Sequence, residues 1–376
     1  MKIGIFNNYT TNLIDNGVSP IGSENIMAYS DNIGNIVFLE SIMRQTGAIP
    51  ISIYDFMNNP TDFHFDILIL SLANFISPVY TLPESFICAL EETKIPIVIF
   101  SVGIQCNSLY DLENMEISET ALRILKLSEK SNTTIGLRGE FTKKYLDKIG
   151  FYNTQVIGCP SLFYEKVIPK KVNISPQKII INGSFNGNWR ERLKDLFYFG
   201  VKYNTDYLVQ SESRVLVDKY NISDDMIDGW HISEERKKYL KNRTYDYGYY
   251  LHDKIDIDAF RKWMVNNSFF YSDFDMWKNS MNYDMSVGVR FHGSVMSTLN
   301  GVPSMVLRGD SRVEEFVLYH KLPNMDLNDF TDKLNPMDIY DMIDYKEYEY
   351  RYDDLRSNYI SYLEKNKLKF ILNASR

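Results

Sequence analysis

The sequence predicts an α/β protein with two doubly wound domains, on the strength of three observations. Short, continuous apolar runs such as DILILS (66–71) and PIVIFSV (96–102) are typical of parallel strands buried on both faces. Stretches with apolar residues at helical spacing alternate with these runs. A second series of runs begins at KIIIN (178–182), after an apolar-poor stretch at 167–178 that holds two prolines and is predicted to be the linker.

In the first half, strands and helices are predicted to alternate in chain order. The strands are KIGIF (2–6), the two runs above, TTIGL (133–137) and TQVIG (154–158). The helices are a stretch from Asn35 ending at Gly47, the segment 118–131 with Ser118 as N-cap, and EFTKKYLDKIG (140–150).

In the second half, one strand–turn–helix–strand unit stands out. It runs from SVGVR (286–290) through SVMSTLN (294–300) to SMVL (304–307) and has the form of a βαβ unit. Helices are also predicted in LKDLFYFGVKY and ISEERKKYLKNR, and a strand in SFFYSD (268–273). The domain boundaries follow as 1–170, 176–335 and a helical tail at 336–376.

Composition excludes several function classes. The 376 residues carry a net charge of -8 with dispersed Lys and Arg, so no nucleic-acid partner is expected. Three cysteines, Cys88, Cys106 and Cys159, form neither a disulfide framework nor a CxxC pair, which fits a reducing cytoplasm. No apolar run approaches the roughly 18 residues of a membrane span. The C-terminal LEKNKLKFIL is predicted to pack on the core, with contact to an anionic membrane surface as the alternative.

Polar residues directly after the strands predict a ligand site, because ligands of open parallel sheets bind beyond the carboxyl ends of the strands. Asn74 and Gln105 offer neutral hydrogen-bonding groups, which suit a polyhydroxyl ligand, and Arg138 suits an anion. A single Asn or Gln at such a place is, taken alone, more often an ordinary polar loop residue.

The segment VGVRFHGSVMSTLNGVP carries the strongest chemical signal. Arg290 suits bidentate binding of a carboxylate or phosphate, and His292 can exchange a proton near neutral pH. Gly293 permits close approach of a ligand, and Ser294 continues a predicted helix N-terminus that favours anions. The competing interpretation is that Arg290 pairs with a core Asp and that His292 is a satisfied turn residue.

With Asp310 and Arg312 following it, this segment resembles the C-terminal signature of the polysaccharide pyruvyl transferases. DNIGNIVFLESI (31–42) is similar to that family's N-terminal Asn-x-Gly motif, and IGLRGEFTKKYLDKIG (135–150) to its middle motif. The resemblance implies two Rossmann-like domains facing across a cleft, as in GT-B glycosyltransferases. It also implies transfer of a pyruvyl group from phosphoenolpyruvate to a sugar of a cell-surface polysaccharide precursor, forming a cyclic ketal, with Arg290 and His292 in donor binding and catalysis.

Three departures from the family pattern concern the acceptor side. SLANFIS (71–77) replaces a glycine-rich stretch, Asn35 stands where Asp is common, and Gly139 stands where an acidic residue usually follows the arginine. The acceptor, a sugar or lipid-linked glycan, is expected in the first domain, where Asn35, Asn74 and Gln105 are the candidate contacts.

The donor's phosphate and carboxylate need several anchors. Arg290, the Gly293–Ser294 helix start, Arg138 and Arg312 are the candidates, and His292 is expected to act as acid or base. Neither a metal nor another cofactor is expected for this reaction. The Asp273–Asp275 pair has the DxD form of metal-dependent glycosyltransferases, but acidic pairs at loop or helix starts are common.

Two other functions remain open. A nucleotide-sugar glycosyltransferase uses the same two-domain cleft, and Glu314 or Glu315 would then bind the ribose. A non-catalytic glycan- or partner-binding protein is the third hypothesis, and the presence of both Arg290 and His292 argues against it.

Overall fold

The computed structural model describes most of the chain. The described residues are 1–7, 32–79, 81–105, 115–172, 175–184, 192–210, 212–229, 234–241, 253–271 and 273–372. Asp31 and Cys106, which enter the sequence argument, lie outside these ranges.

The first half is built on a parallel sheet. Strands β1 (Ile3–Asn7), β2 (Ile49–Ser52), β3 (Ile67–Ser71) and β4 (Ile97–Phe100) lie in the order β2-β1-β3-β4. Strands β5 (Ile135–Leu137) and β6 (Thr154–Val156) pair in parallel with each other and continue this sheet through a bridge between Val102 and Leu137. Alternate residues of the strands enter separate apolar clusters, Ile67 and Ile69 on one face and Leu68 and Leu70 on the other. The continuous apolar runs therefore reflect burial on both faces.

Within the described ranges of the first half, five helices connect these strands. They are α1 (Gly34–Thr46), α2 (Ile53–Asn58), α3 (Glu84–Glu92), α4 (Glu119–Ser131) and α5 (Glu140–Lys148). The sequence-predicted caps are confirmed, because Ser118 accepts a hydrogen bond from the Ala121 N–H and Gly47 ends α1 in the left-handed conformation.

The second half is a six-stranded parallel sheet. Its strands are β7 (Ile179–Asn182), β8 (Asp206–Leu208), β9 (Ser268–Phe269), β10 (Met285–Gly288), β11 (Ser304–Arg308) and β12 (Asn324–Asp326). They lie in the order β9-β8-β7-β10-β11-β12, which is the Rossmann order 3-2-1-4-5-6 within this half. The direction of winding therefore reverses between β7 and β10, where such folds bind ligands.

Ten helices belong to the rest of the described chain. They are α6 (Lys194–Lys202), α7 (Ser213–Lys219), α8 (Asp224–Asp228), α9 (Glu234–Lys241), α10 (Ile257–Asn267), α11 (Phe274–Ser280), α12 (Phe291–Leu299), α13 (Ser311–His320), α14 (Pro336–Met342) and α15 (Lys346–Lys365). The predicted strand SFFYSD is shorter than expected, since β9 holds only Ser268 and Phe269 before α11 begins.

The last helix returns to the first half. The Tyr362 hydroxyl donates to the Ile99 carbonyl at 2.6 Å, and the Tyr359 hydroxyl donates to Gln45 Oε1 at 2.8 Å. Leu363 and Leu368 of the C-terminal basic stretch are buried in the core cluster, so this stretch packs on the protein, as the sequence argument favoured. No described helix is both long and apolar enough to cross a lipid bilayer.

Together these features make the predicted fold correct. Two Rossmann-like parallel sheets are present, and the segments that follow their carboxyl ends meet each other. One apolar cluster contains residues of both sheets and of α15, so the halves share a core.

Candidate active site

The site lies where the N-terminus of α1 meets the loops after β8 and β10. The Ile33 N–H donates to the Gln210 carbonyl at 2.8 Å, joining the first half to the second. Gly34 is packed so closely that a Cβ there would lie 2.7 Å from Gln210 Oε1 and 3.2 Å from the His292 Cβ. A larger residue would displace the Gln210 side chain, so the Asn-x-Gly motif and the R-x-H-G motif, far apart in sequence, are in contact here.

Arg290, the N-cap of α12, is held by several partners. Its Nε donates to the Gly183 carbonyl at 2.9 Å, and one terminal nitrogen contacts Ser184 Oγ at 3.3 Å and Glu212 Oε1 at 2.8 Å. The Arg290 side chain is 19% exposed and that of Glu212 only 3%. The anticipated acidic partner is thus a glutamate from the loop after β8, and Arg290 is left accessible on one side.

Asn182 orients the turn that carries Arg290. It ends β7, its Oδ1 accepts the Arg290 N–H at 2.7 Å, and its carbonyl accepts the Val289 N–H at 3.2 Å. The Asn182 side chain is fully buried. The first and fourth strands of the Rossmann sheet are therefore tied together at the point where the winding reverses.

His292 is the second residue of α12 and is partly buried. Its Nε2 lies 3.8 Å from the Cys159 Sγ, and its ring is near those of Phe38 and Phe291. Burial, and secondarily the positive charge of Arg138, lower the pKa of His292 to about 3. His292 is therefore neutral near pH 7. Burial raises the pKa of the Cys159 thiol to about 11, so the thiol stays protonated.

The N-terminus of α12 has no side-chain cap. Three fully enclosed polar atoms nearby also make no hydrogen bond, namely Asn182 Nδ2, Gln210 Nε2 and Ser294 Oγ. Sequence reasoning missed Asn182 and Gln210. Asn182 ends the predicted strand KIIIN and could have been identified from the sequence. Gln210 follows β8, a strand that begins with Asp206 and therefore lacks the continuous apolar run of the predicted strands.

Arg138 lies in the interior between the two halves and is 3% exposed. One terminal nitrogen donates to Asn74 Oδ1 at 2.6 Å, the other contacts the Ala73 carbonyl, and the guanidinium lies 4.4 Å from the Phe316 ring centroid. Burial lowers the pKa of Arg138 to about 10, so it remains charged at neutral pH. Asn74 and Arg138 are thus brought together, with the arginine enclosed.

In the part of the chain that the structure describes, three further predicted site residues are not hydrogen-bonded to this cluster, although Asn35 directly follows Gly34 and the charge of Arg312 acts on Arg138. Arg312 bonds to Asp310 at 2.8 Å, Gln105 is exposed, and Asn35 is partly buried in the first turn of α1. Within the described residues, no hydrogen bond connects any of the three to Arg290 or His292.

The acidic residues considered for other chemistries have structural partners. Glu315 is buried and accepts from the Thr142 N–H at 2.6 Å and its hydroxyl at 2.8 Å, and Glu314 pairs with Arg308. Asp273 caps α11 through the Met276 N–H, and Asp275 pairs with Arg44. The described parts of the chain contain no cluster of three or more His, Cys, Asp or Glu side chains suited to a metal ion.

Comparison with known proteins places these residues in a family context. A family model described as "Polysaccharide pyruvyl transferase" matches residues 32–311, a span that includes the motifs around Gly34, Arg138, Arg290 and His292. No curated protein is similar enough in sequence to count as a match.

Several solved structures are similar in outline. A UDP-GlcNAc 2-epimerase from Neisseria meningitidis, bound to UDP-GlcNAc, is 11% identical with a TM-score of 0.38, over 98% of each chain. A putative UDP-N-acetylglucosamine 2-epimerase from Listeria monocytogenes is 10% identical with a TM-score of 0.41, over 100% of this chain and 93% of the other. T4 phage BGT in complex with UDP-glucose is 12% identical with a TM-score of 0.37, over 98% and 99%. The fold is assigned from the chain's own strand orders.

Proposed function

Because the chain belongs to the polysaccharide pyruvyl transferase family, we propose that it transfers a pyruvyl group from phosphoenolpyruvate to a sugar of a surface-polysaccharide precursor. The product is a sugar carrying a cyclic pyruvate ketal, and the precursor is a free or lipid-linked glycan met in the cytoplasm or at the inner face of the membrane. The family match supports the class of enzyme, and the site residues support the donor.

One observation carries the donor assignment. Arg290 and His292 lie together at the uncapped N-terminus of α12, beside the place where the second sheet reverses its winding. A helix N-terminus and an arginine both favour anions, and phosphoenolpyruvate carries two anionic groups. Arg312 can contact the donor only if its ion pair with Asp310 opens. Arg138 is enclosed and acts on the site through its positive charge, which lowers the pKa of His292.

The neutral state of His292 suggests its chemical role. Two acceptor hydroxyl oxygens add to the central carbon of the enol, the methylene carbon gains a proton to become methyl, and the bond to the phosphate oxygen breaks. Of the two hydroxyl protons, one is balanced by the new C–H bond and the other leaves with phosphate. His292, deprotonated near neutral pH, is placed to accept a hydroxyl proton.

The first half is proposed to hold the acceptor. Exposed Gln105 and partly buried Asn35 and Asn74 offer neutral amides, which suit sugar hydroxyls. The proposed reaction assigns no step to a metal or another cofactor.

A ligand screen separates this proposal from nucleotide-sugar transfer. Phosphoenolpyruvate at ~100 times its dissociation constant should add about 2.7 kcal/mol to the free energy of unfolding, which thermal unfolding detects. UDP-GlcNAc and UDP-glucose serve as the comparison. Stabilisation by a UDP-sugar and none by phosphoenolpyruvate would replace the proposal by the glycosyltransferase alternative.

A further inference from the structure

Two enclosed side-chain amides beside α12, those of Asn182 and Gln210, have NH₂ groups without a hydrogen-bond acceptor among the described residues. Asn182 is 0% exposed and Gln210 is 2% exposed, and neither Asn182 Nδ2 nor Gln210 Nε2 donates a hydrogen bond. A buried donor without an acceptor is destabilising, so most buried donors in native proteins have a hydrogen-bond partner. Their presence together at a site indicates an acceptor that the protein itself does not supply.

Both amides point at the same place. A Cβ built on Gly293 would lie 2.7 Å from Gln210 Nε2 and 2.9 Å from Asn182 Nδ2. The two nitrogens therefore lie beside Gly293, the third residue of α12. They therefore flank the uncapped first turn of α12, where backbone N–H groups already favour an anion.

A hydrogen bond orients the side-chain amide of Asn182, and two hydrogen bonds hold the backbone of Gln210. Asn182 Oδ1 accepts the Arg290 N–H, which directs its NH₂ group away from that bond toward Gly293. Gln210 is fixed at both ends of its backbone, since its carbonyl accepts from Ile33 and its N–H donates to Glu212. The Gln210 side chain thus extends from Gly34 of the first half to Gly293 of the second.

We propose that the Asn182 and Gln210 amides, together with the first turn of α12, bind the oxygens of a small carboxylate or phosphate anion. This inference rests on the proposed function in so far as phosphoenolpyruvate supplies both groups. The proposed anion site then contains two residues besides Arg290, namely Asn182 of β7 and Gln210 of the loop after β8. Because Gln210 also contacts Gly34, it couples the anion to the first half, where the acceptor is expected.

The test is a calorimetric measurement of dissociation constants for phosphoenolpyruvate, inorganic phosphate and pyruvate. Gln210→Met keeps the length of the side chain and removes the donor without adding charge. Asn182→Asp keeps the Oδ1 acceptor for the Arg290 N–H but adds a negative charge, so its effect combines the lost hydrogen bond with repulsion of the anion. Gln45→Met is the matched control, since Gln45 is a fully buried amide whose partners are Pro160 and Tyr359. Loss of a hydrogen bond to a charged group should weaken binding about 10- to 100-fold in the first two variants and not in the control.

The three probes separate the possible outcomes. If the variants lose affinity for pyruvate and keep that for phosphate, the amides bind the carboxylate, and the reverse pattern assigns them to the phosphate. If wild type binds phosphoenolpyruvate and both variants, with folding confirmed by thermal unfolding, bind it equally well, the inference is wrong and the proposed function stands. If wild type binds phosphate or pyruvate through these amides but not phosphoenolpyruvate, the inference stands and the proposed function fails. Binding of none of the three overturns the inference.

Discussion

His292 stays uncharged over the whole neutral pH range. It lies at an anion-favouring helix terminus, and burial and the charge of Arg138 lower its pKa to about 3. An ordinary histidine is half protonated near pH 6.5, whereas His292 still offers a nitrogen lone pair there to a substrate hydroxyl.

The pH profile tests this assignment. Since the pKa of His292 is lowered, kcat at saturating phosphoenolpyruvate should show no protonation step near pH 6.5 and should decline only at much lower pH. His292→Asn should lower kcat by about 10²–10⁴-fold, with exposed His64→Asn as control. A protonation step near 6.5 in wild type, or an unchanged kcat in His292→Asn, would contradict a base role.

Arg290 pairs with Glu212 and is also proposed to bind the donor, so its replacement should affect both stability and affinity. Arg290→Ala removes the cation that faces the enclosed Glu212 carboxylate, which should cost about 3–5 kcal/mol of stability. The double variant Arg290→Ala/Glu212→Gln also removes the negative charge and should recover much of the stability without recovering affinity for phosphoenolpyruvate. Urea unfolding and calorimetry measure the two effects separately. Wild-type affinity in the double variant would make Arg290 purely structural.

Residue types and spacing predicted Arg290, His292 and Gly293, because the strand–turn–helix pattern around them is local. The sequence could not show that these residues lie beside Asn182, Gln210 and Glu212, because only the strand order brings β7, β8 and β10 together. The enclosed state of Arg138 was equally hidden, because it depends on Phe316 and Asn74, which are distant in sequence.

Helix α5 is capped from the other half of the molecule. Its N-cap position is Gly139, which has no side chain, and Glu315 of α13 supplies the missing acceptor to the Thr142 N–H. A Cβ on Gly139 would lie 2.7 Å from the Glu315 Cβ, so the glycine that departs from the family pattern makes room for this contact. The cap also links the two halves.

The cost of burying Glu315 predicts a pH-dependent stability. Desolvation raises the pKa of Glu315 above 4.5, so the folded state binds its proton more tightly than the unfolded state does. This contribution is present below 4.5 and is lost as pH rises through the raised value. The free energy of unfolding of wild type minus that of Glu315→Gln should therefore fall from acidic toward neutral pH in urea titrations. A constant or rising difference would contradict it, and Glu314→Gln, which is less buried, is the control.

At the scale of the whole molecule, the alternation of strands and helices predicted both sheets. The strands β2, β8 and β12 were missed because proline or polar residues interrupt their apolar runs, which read IPIS, DYL and NMD. The return of α15 to the first sheet depends on distant contacts such as that of Tyr362 with Ile99, which no local pattern contains.

The shared core predicts that both halves unfold together. All four tryptophans lie beyond residue 185, so tryptophan fluorescence reports on the second half, whereas far-UV circular dichroism reports on the whole chain. One apolar cluster includes both sheets and α15, so the two signals should give the same urea midpoint. Separate midpoints would mean that the halves are independent.

The central claim is that the cleft between these halves makes pyruvate ketals. The most direct measurement incubates the protein with phosphoenolpyruvate and a glycan pool of the capsule or teichoic type, and follows phosphate release and sugar mass. We predict that phosphate appears in step with a sugar carrying one pyruvate ketal, and that His292→Asn abolishes both signals. Transfer of a hexose from a UDP-sugar, with phosphoenolpyruvate left unchanged, would contradict it.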